Sequence, residues 1–154
     1  MKKKYRIECV NLPRKSVSRS HVEKLGQALF KQFSENRKLL TLLSKFQENP
    51  DLSVVFVSKI KSREINLKYR KKNYATDVLS FSQKVKARGL GEIILCVSVL
   101  QKQAKEHDLS FTKEMDYMII HGFLHLLGYD HEKSRKEELK MMKLQDRLFE
   151  QLTK

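Results

Sequence analysis

HGFLHLLGYDH, residues 121–131, spaces three histidines in the pattern H-x3-H-x5-H. In a helix, His121 and His125 lie one turn apart on the same face. Gly128 can adopt the left-handed conformation that ends a helix, and the resulting reversal would bring His131 back toward the first two rings. Three converging neutral imidazoles, with a fourth position open for water, are typical of a catalytic zinc site. Because residues 115–127 are apolar almost all round, we predict a metal site on a buried helix and the loop after it.

Other interpretations of the histidines are less favoured. Histidines that are only hydrogen-bonded core residues, or residues at a helix end, do not need this spacing or the glycine at the reversal. A structural zinc site usually recruits cysteine, whereas Cys9 and Cys96 lie in apolar, strand-like runs far from the motif. A zinc peptidase carries H-E-x-x-H with the glutamate as general base, and this chain has Gly122 at that position. The spacing of the ligands is therefore retained, while peptidase chemistry is doubtful.

The size and composition of the chain predict a single domain covering residues 1–154. No apolar run approaches the ~20 residues that a membrane helix needs. The basic amino terminus leads into alternating, strand-like sequence rather than an apolar signal core. Two cysteines at unrelated positions suggest a reduced compartment. We expect a cytoplasmic protein with no membrane partner.

The positive charge is unevenly distributed along the chain. The net charge is +14, and residues 1–20 hold seven Lys or Arg against one Glu. Residues 59–88 hold ten basic residues against two acids, whereas residues 89–131, which contain the histidines, hold three against six. This pattern suits a polyanion held along its backbone while one bond is presented to the metal site. The alternative is a solvated, solubilising surface; we favour a nucleic acid partner.

Strands and helices alternate along the sequence. Runs of apolar or alternating residues predict four strands, at 4–10, 52–59, 78–82 and 92–97. Periodicity and capping residues predict about six helices, at 20–36 with Ser20 in a capping box, 38–47, 65–72, a fourth capped by Ser98 and ending near Asp108, the histidine helix capped by Thr112, and a last one capped by Ser134. The polar stretch with Gly89 and Gly91 is predicted to be a loop. The order indicates an α/β (α+β) fold, with helices around one small sheet.

With these motifs in place, the chain resembles the YbeY family of bacterial endoribonucleases, the rRNA maturation factors. Residues 121–131 match a family signature of the form H-G-x-L-H-L-x-G-Y-D-H. The stretches INLKYR (65–70) and TDVLSF (76–81) resemble a second family block, and LGEI (90–93) resembles a third. Two positions depart from the pattern: Ala75 stands where the family usually has Pro, and Glu92 where it usually has Asp.

The resemblance implies a single-strand-specific, metal-dependent endoribonuclease that acts in 3′-end maturation of small-subunit (16S) ribosomal RNA and in ribosome quality control. It implies one Zn²⁺ per chain, or another divalent transition metal, held by His121, His125 and His131. The family's functional arginine falls on Arg70. The implied partners are single-stranded RNA, ribosomal RNA and the small ribosomal subunit or its precursors, and the implied fold has a small, mostly parallel four-stranded sheet. A zinc-dependent peptidase-like hydrolase and a ribosome-binding module with a structural metal remain the alternatives.

The chemistry of phosphodiester cleavage suggests roles for four further residues. A guanidinium at Arg70 would offer two parallel donors to phosphate oxygens, which lysine does less well. Lys71 and Lys72 are candidate contacts to the RNA backbone. Asp130 either orients a ligand imidazole or only shapes the turn before His131.

Overall fold

A four-stranded sheet forms the centre of the computed structural model, which describes residues 5–44, 46, 50–83 and 89–154. The spatial order of the strands is β1-β2-β4-β3. β1 runs parallel to β2, and β2 parallel to β4, while β3 pairs antiparallel with β4. The mostly parallel four-stranded sheet that the family resemblance implies is confirmed. The strands are β1 (Ile7–Val10), β2 (Asp51–Val57), β3 (Val78–Ser82) and β4 (Gly89–Cys96).

Six helices surround this sheet in the part of the chain that the structure describes, as expected for the α/β class. They are α1 (Arg19–Glu35), α2 (Arg37–Leu43), α3 (Lys59–Arg70), α4 (Val97–Glu106), α5 (Phe111–Leu126) and α6 (Arg135–Leu152). α5 packs directly on β3 and β4, α4 and α6 flank it, and α1 packs on β1. None of the described helices is both long and apolar enough to cross a membrane.

The buried position of α5 follows from its side chains. Met115, Ile119, Ile120 and Phe123 are almost fully buried, and they account for the apolar periodicity of the sequence. The ring of Phe123 meets those of Phe30 and Phe33 of α1 edge to face, with centroids 5.1 and 5.4 Å apart. The helix that carries the first two histidines is therefore held rigidly between the sheet and α1.

Three of the predicted capping residues are not the residues that cap their helices in the structure. α1 is capped by Ser18 rather than Ser20, because the Ser18 hydroxyl accepts from the backbone N–H of His21 at 3.3 Å. α5 is capped by Ser110 rather than Thr112, again two residues earlier. α4 begins directly after β4 without a side-chain cap, so Ser98 lies inside the helix. In each case the residue before the helix has the extended backbone angles that a helix start requires.

α3 and β4 are longer than predicted. α3 starts at Lys59, six residues before the expected Ile65, because the Ser58 hydroxyl accepts from the Lys61 N–H at 3.2 Å. β4 starts at Gly89, so Gly89 and Gly91 lie in a strand rather than in a loop. Gly91 has a φ of +144°, where a side chain would meet the Phe81 carbonyl oxygen. Residue 4 of the predicted first strand, residues 45 and 47 of the predicted second helix, and residues 84–88 before β4 lie outside the described residues.

Candidate active site

The end of α5 reverses the chain as the sequence predicts. Gly128 has a φ of +100°. Its backbone N–H donates to the His125 carbonyl at 3.0 Å, and the N–H of Tyr129 donates to the Leu124 carbonyl at 3.1 Å. These two bonds form the Schellman arrangement that ends helices at a glycine. The reversal carries His131 back over the last turn of the helix.

The three histidines converge at one point. Nε2 of His125 lies 3.1 Å from Nε2 of His121 and 3.0 Å from Nδ1 of His131. One ring nitrogen from each histidine lies within 4.8 Å of the other two, and all three side chains are half-buried. Zn–N bonds of ~2.0–2.1 Å in a tetrahedron would separate the nitrogens by roughly 3.3–3.4 Å. The separations of 3.0 and 3.1 Å are close to that value, and the three nitrogens could hold a single ion.

Gln145 of α6 fixes the protonation of His121. Its amide nitrogen donates to the Tyr117 carbonyl at 3.3 Å, which directs its amide oxygen toward His121. That oxygen lies 3.0 Å from Nδ1 of His121 and can only accept, so Nδ1 carries the proton. Nε2 of His121 is then a bare lone pair directed at the other two rings. Metal-binding imidazoles are commonly oriented in this way, by a hydrogen bond from the ring nitrogen that does not face the metal.

Burial keeps two of the histidines neutral. Removal from water, together with the nearby rings of His121 and His131, lowers the pKa of His125 to about 4. Burial also lowers the pKa of His121, although the hydrogen bond that His121 donates to Gln145 acts in the opposite direction. Near pH 7 both imidazoles are therefore unprotonated at the nitrogen that faces the cluster, which is the form that binds metals.

The cluster opens into a cleft of about 560 Å³. The three histidines, Asp130, residues from β3 and the end of α3 all line this cleft. Arg70 is the last residue of α3, and its Nη2 lies 3.5 Å from Oε1 of Glu132, the residue that follows His131. Arg70 and the histidines, 51 or more positions apart in sequence, thus share one cavity.

Comparison with known proteins gives a consistent result. The model of the endoribonuclease YbeY family matches residues 11–153. The chain belongs to the YbeY family. An endoribonuclease YbeY from Bdellovibrio bacteriovorus is 49% identical over 113 residues, which cover 73% of this chain and 75% of that protein. One from Staphylococcus saprophyticus is 40% identical over 128 residues, covering 75% and 83%.

A solved structure has the same fold. The solution structure of a Thermotoga maritima protein is 28% identical in sequence, has a TM-score of 0.60, and covers 95% of this chain and 88% of that one. The family and its fold, first inferred from the motifs of residues 65–131, are both confirmed. RNA is the substrate class that membership of an endoribonuclease family implies.

Gly122 of this YbeY-family chain faces the sheet. A Cβ at this position would lie 2.9 Å from Cγ2 of Ile93 and 3.0 Å from Oγ of Ser80. Both neighbours belong to strands that cannot withdraw freely, so only glycine fits without a shift. The glutamate of a zinc peptidase would therefore collide with β3 and β4 at this position.

The other predicted residues differ in their placement. Asp130 lines the cleft, but its Oδ1 accepts from the Glu132 N–H at 2.8 Å, which favours the turn-shaping role. Lys71 and Lys72 are exposed beyond the end of α3 and do not line the cleft. Lys71 ends that helix in a left-handed conformation, with a φ of +60°.

Sequence analysis missed two neighbours of the site, Gln145 and Glu132. Gln145 is 3% exposed and lies among Met141, Leu144 and Leu148 on the apolar face of α6. A lone amide on such a face is a detectable signal, because a buried polar group needs a partner. The contact of Glu132 with Arg70 has no comparable signal, since it joins two exposed side chains from distant parts of the chain.

Proposed function

We propose that this chain is a metal-dependent endoribonuclease that cleaves single-stranded RNA, and that its substrate is the 3′ region of small-subunit ribosomal RNA or its precursors. The observation that carries the proposal is the shared cleft: three imidazole nitrogens converge beside an arginine in a chain of the YbeY family. The ribosomal substrate, the role in ribosome quality control and the cytoplasmic location rest on the resemblance of residues 121–131 to the family signature.

His121, His125 and His131 would hold one ion per chain. Neutral imidazoles suit zinc and other divalent transition metals better than magnesium or calcium, so Zn²⁺ is the first choice. Such an ion supplies a Lewis acid for phosphoryl oxygens and acidifies a coordinated water. The protein contributes the orientation of the rings, through the buried α5 and the hydrogen bond from His121 to Gln145.

Arg70 would stabilise the charge that develops on the phosphate. The rigid end of α3 presents its guanidinium to the same cleft as the histidines, and Glu132 holds it there at 3.5 Å. Glu132 is largely exposed and can swing into solvent when a phosphate replaces it. A planar guanidinium can then donate two parallel hydrogen bonds to phosphate oxygens.

The basic residues around α3 would hold the rest of the strand. Lys68 in the last turn of α3, and Lys71 and Lys72 just after it, are exposed and lie close to Arg70 in sequence. Their charge attracts any polyanion and carries no sequence information. Selection of ribosomal RNA must therefore come from the shape of the substrate or from its presentation on the ribosomal subunit.

A substrate panel tests the proposed activity. Zinc-loaded protein is given single-stranded RNA, duplex RNA and casein, each with and without a chelator. We expect cleavage of single-stranded RNA alone, and its loss with the chelator. A His125→Ala variant purified in the same way controls for contaminating nucleases. Cleavage of casein would favour a peptidase, and inactivity toward all three substrates would favour a binding module with a structural metal.

A separate comparison tests Arg70. Arg70→Glu should lose cleavage while it keeps its fold and metal, and Arg70→Lys should recover only part of the rate. Loss of one contact to transition-state charge typically costs ~100- to 1,000-fold in rate. Single-turnover cleavage at saturating protein separates chemistry from binding. A parental rate for Arg70→Glu under these conditions would limit Arg70 to RNA binding.

A further inference from the structure

Tyr69 presents an aromatic ring to the cleft beside the histidine cluster. It precedes Arg70 at the end of α3, and it lines the same cavity as the three histidines. Its side chain packs against Phe81 of β3, with the ring centroids 5.0 Å apart and the planes at 60°. Tyr69 nevertheless remains 59% exposed, so this packing covers less than half of it.

The surroundings of Tyr69 suit a nucleobase. The ammonium of Lys68 lies 5.2 Å from the centroid of its ring, where it also adds positive charge beside the cavity. The contact with Phe81 limits the rotation of the ring, so little order has to be gained when a planar ligand stacks on it. An exposed, oriented aromatic ring next to a phosphate-binding arginine is the arrangement with which proteins hold single-stranded nucleic acids.

We propose that Tyr69 is the stacking platform of a base-binding subsite, and that it holds one nucleobase adjacent to the phosphate bound by Arg70 and the histidine cluster. The proposal deepens the proposed function and rests on it. The ligand class is any single unstacked nucleobase of an RNA strand, since every base offers a planar face. Arg70 and Tyr69 are consecutive in sequence, so the subsite binds a nucleotide near the scissile bond rather than a remote part of the RNA.

This subsite gives the cleft a preference for single strands. In a duplex both faces of each internal base are covered by its neighbours, and a base must leave the stack before it can lie on Tyr69. A single-stranded or looped nucleotide has little or none of this cost. Tyr69 is thus a specificity-determining residue and takes no part in the proton transfers of the reaction.

Protein variants combined with abasic RNAs test the subsite. Tyr69→Ala is compared with Tyr69→Phe and with Tyr74→Ala as the matched control. Tyr74 is a similarly exposed tyrosine, 53% accessible and four residues past Arg70, that does not line the cleft. The substrate is a short single-stranded RNA and a set of copies in which one nucleotide at a time is abasic. We measure the dissociation constant and the single-turnover rate for each combination.

We expect Tyr69→Ala to weaken binding of the intact RNA by about 5- to 150-fold, the range that loss of one base-aromatic stack produces. Tyr69→Phe and Tyr74→Ala should stay close to the parental protein. With the RNA that is abasic at the stacked position, the parental protein should bind as weakly as Tyr69→Ala, and the two losses should not add. The proposal is wrong if Tyr69→Ala and Tyr74→Ala bind the intact RNA equally well. It is also wrong if Tyr69→Ala weakens binding by the same factor for every abasic RNA.

A fluorescent variant provides a readout that does not depend on cleavage. The chain has no tryptophan, so Tyr69→Trp introduces a single reporter at the platform. Its emission should be quenched by intact single-stranded RNA, but not by the RNA that is abasic at the stacked position. Quenching without cleavage would refute the proposed nuclease activity and keep the subsite. Cleavage without quenching would refute the subsite and keep the nuclease.

Discussion

Replacement of Gln145 by methionine should lower the affinity for zinc without unfolding the protein. Methionine matches glutamine in length and lacks the amide oxygen that accepts from Nδ1 of His121 at 3.0 Å. Gln145 is 3% exposed, so water cannot easily take the place of that oxygen. In the metal-bound state Nε2 of His121 must be a lone pair, which forces the proton onto Nδ1 and leaves it without a partner in the variant.

The size of this effect follows from the two states of the cluster. A buried donor without an acceptor costs about 1–3 kcal/mol. The metal-free variant escapes most of this cost, because His121 can move its proton to Nε2 and donate to His125, 3.1 Å away. The cost therefore falls on the metal-bound state, which corresponds to a loss of about 5- to 150-fold in affinity. Removal of the hydrogen-bond partner of a metal-binding histidine commonly lowers metal affinity or activity by ~10- to 100-fold.

The assay is a competitive titration against a chromophoric zinc chelator near neutral pH. Gln151→Met on the exposed side of the same helix is the matched control. Gln145→Glu keeps an acceptor oxygen for His121 and should retain tight binding. The reasoning is refuted if Gln145→Met and Gln151→Met bind zinc equally well, or if Gln145→Glu is as weak as Gln145→Met.

Three further outcomes follow from the structure. Gly122→Ala should lower the free energy of unfolding by about 1–2 kcal/mol in chemical denaturation, since the clash with Ile93 exceeds the ~1 kcal/mol that alanine gains in a helix; an unchanged stability would contradict the packing. The pKa of His125 is about 4 in the folded protein and ~6.5 in an unfolded chain, so the unfolded chain binds this proton first as the pH falls. The free energy of unfolding of metal-free protein should therefore decrease between pH ~6.5 and 4, and it should decrease less in His125→Gln. Reversal of Lys71 and Lys72 to glutamate should flatten the salt dependence of RNA binding, and an unchanged slope would remove both lysines from the RNA path.

The site is predictable from sequence where its geometry is local. His121 and His125 share a face because helical spacing requires it, and Gly128 is the residue that a left-handed helix end requires. Only the return of His131 over four residues depends on the turn, and the glycine and Asp130 determine that turn. The local backbone of such a motif is enough to indicate that its three histidines lie close together.

Helix starts were predicted less well because several nearby residues can serve the same purpose. Ser18 and Ser20 both fit a cap of α1, and Ser110 and Thr112 both fit a cap of α5. In each pair the structure uses the earlier residue as the cap. The choice is worth about one hydrogen bond, which local patterns cannot resolve.

Contacts between distant elements were not predictable from local patterns. The bond of Gln145 to His121 needs α6 to pack on α5 in one register, and the contact of Arg70 with Glu132 needs α3 to end opposite the turn. The sequence shows that Gly122 replaces the glutamate of the peptidase motif. The close approach of Gly122 to Ile93, however, is seen only when α5 lies on the sheet.

Stepwise addition of zinc to metal-free protein, with binding and RNA cleavage measured in the same samples, tests the central claim most directly. If His121, His125 and His131 form the catalytic metal site, cleavage of single-stranded RNA should rise in proportion to bound zinc and level off at about one equivalent per chain. His125→Ala should show neither stoichiometric binding nor cleavage, because two ligands seldom retain a labile ion. Full cleavage before zinc is added, or cleavage by the metal-free His125→Ala protein, would contradict the account.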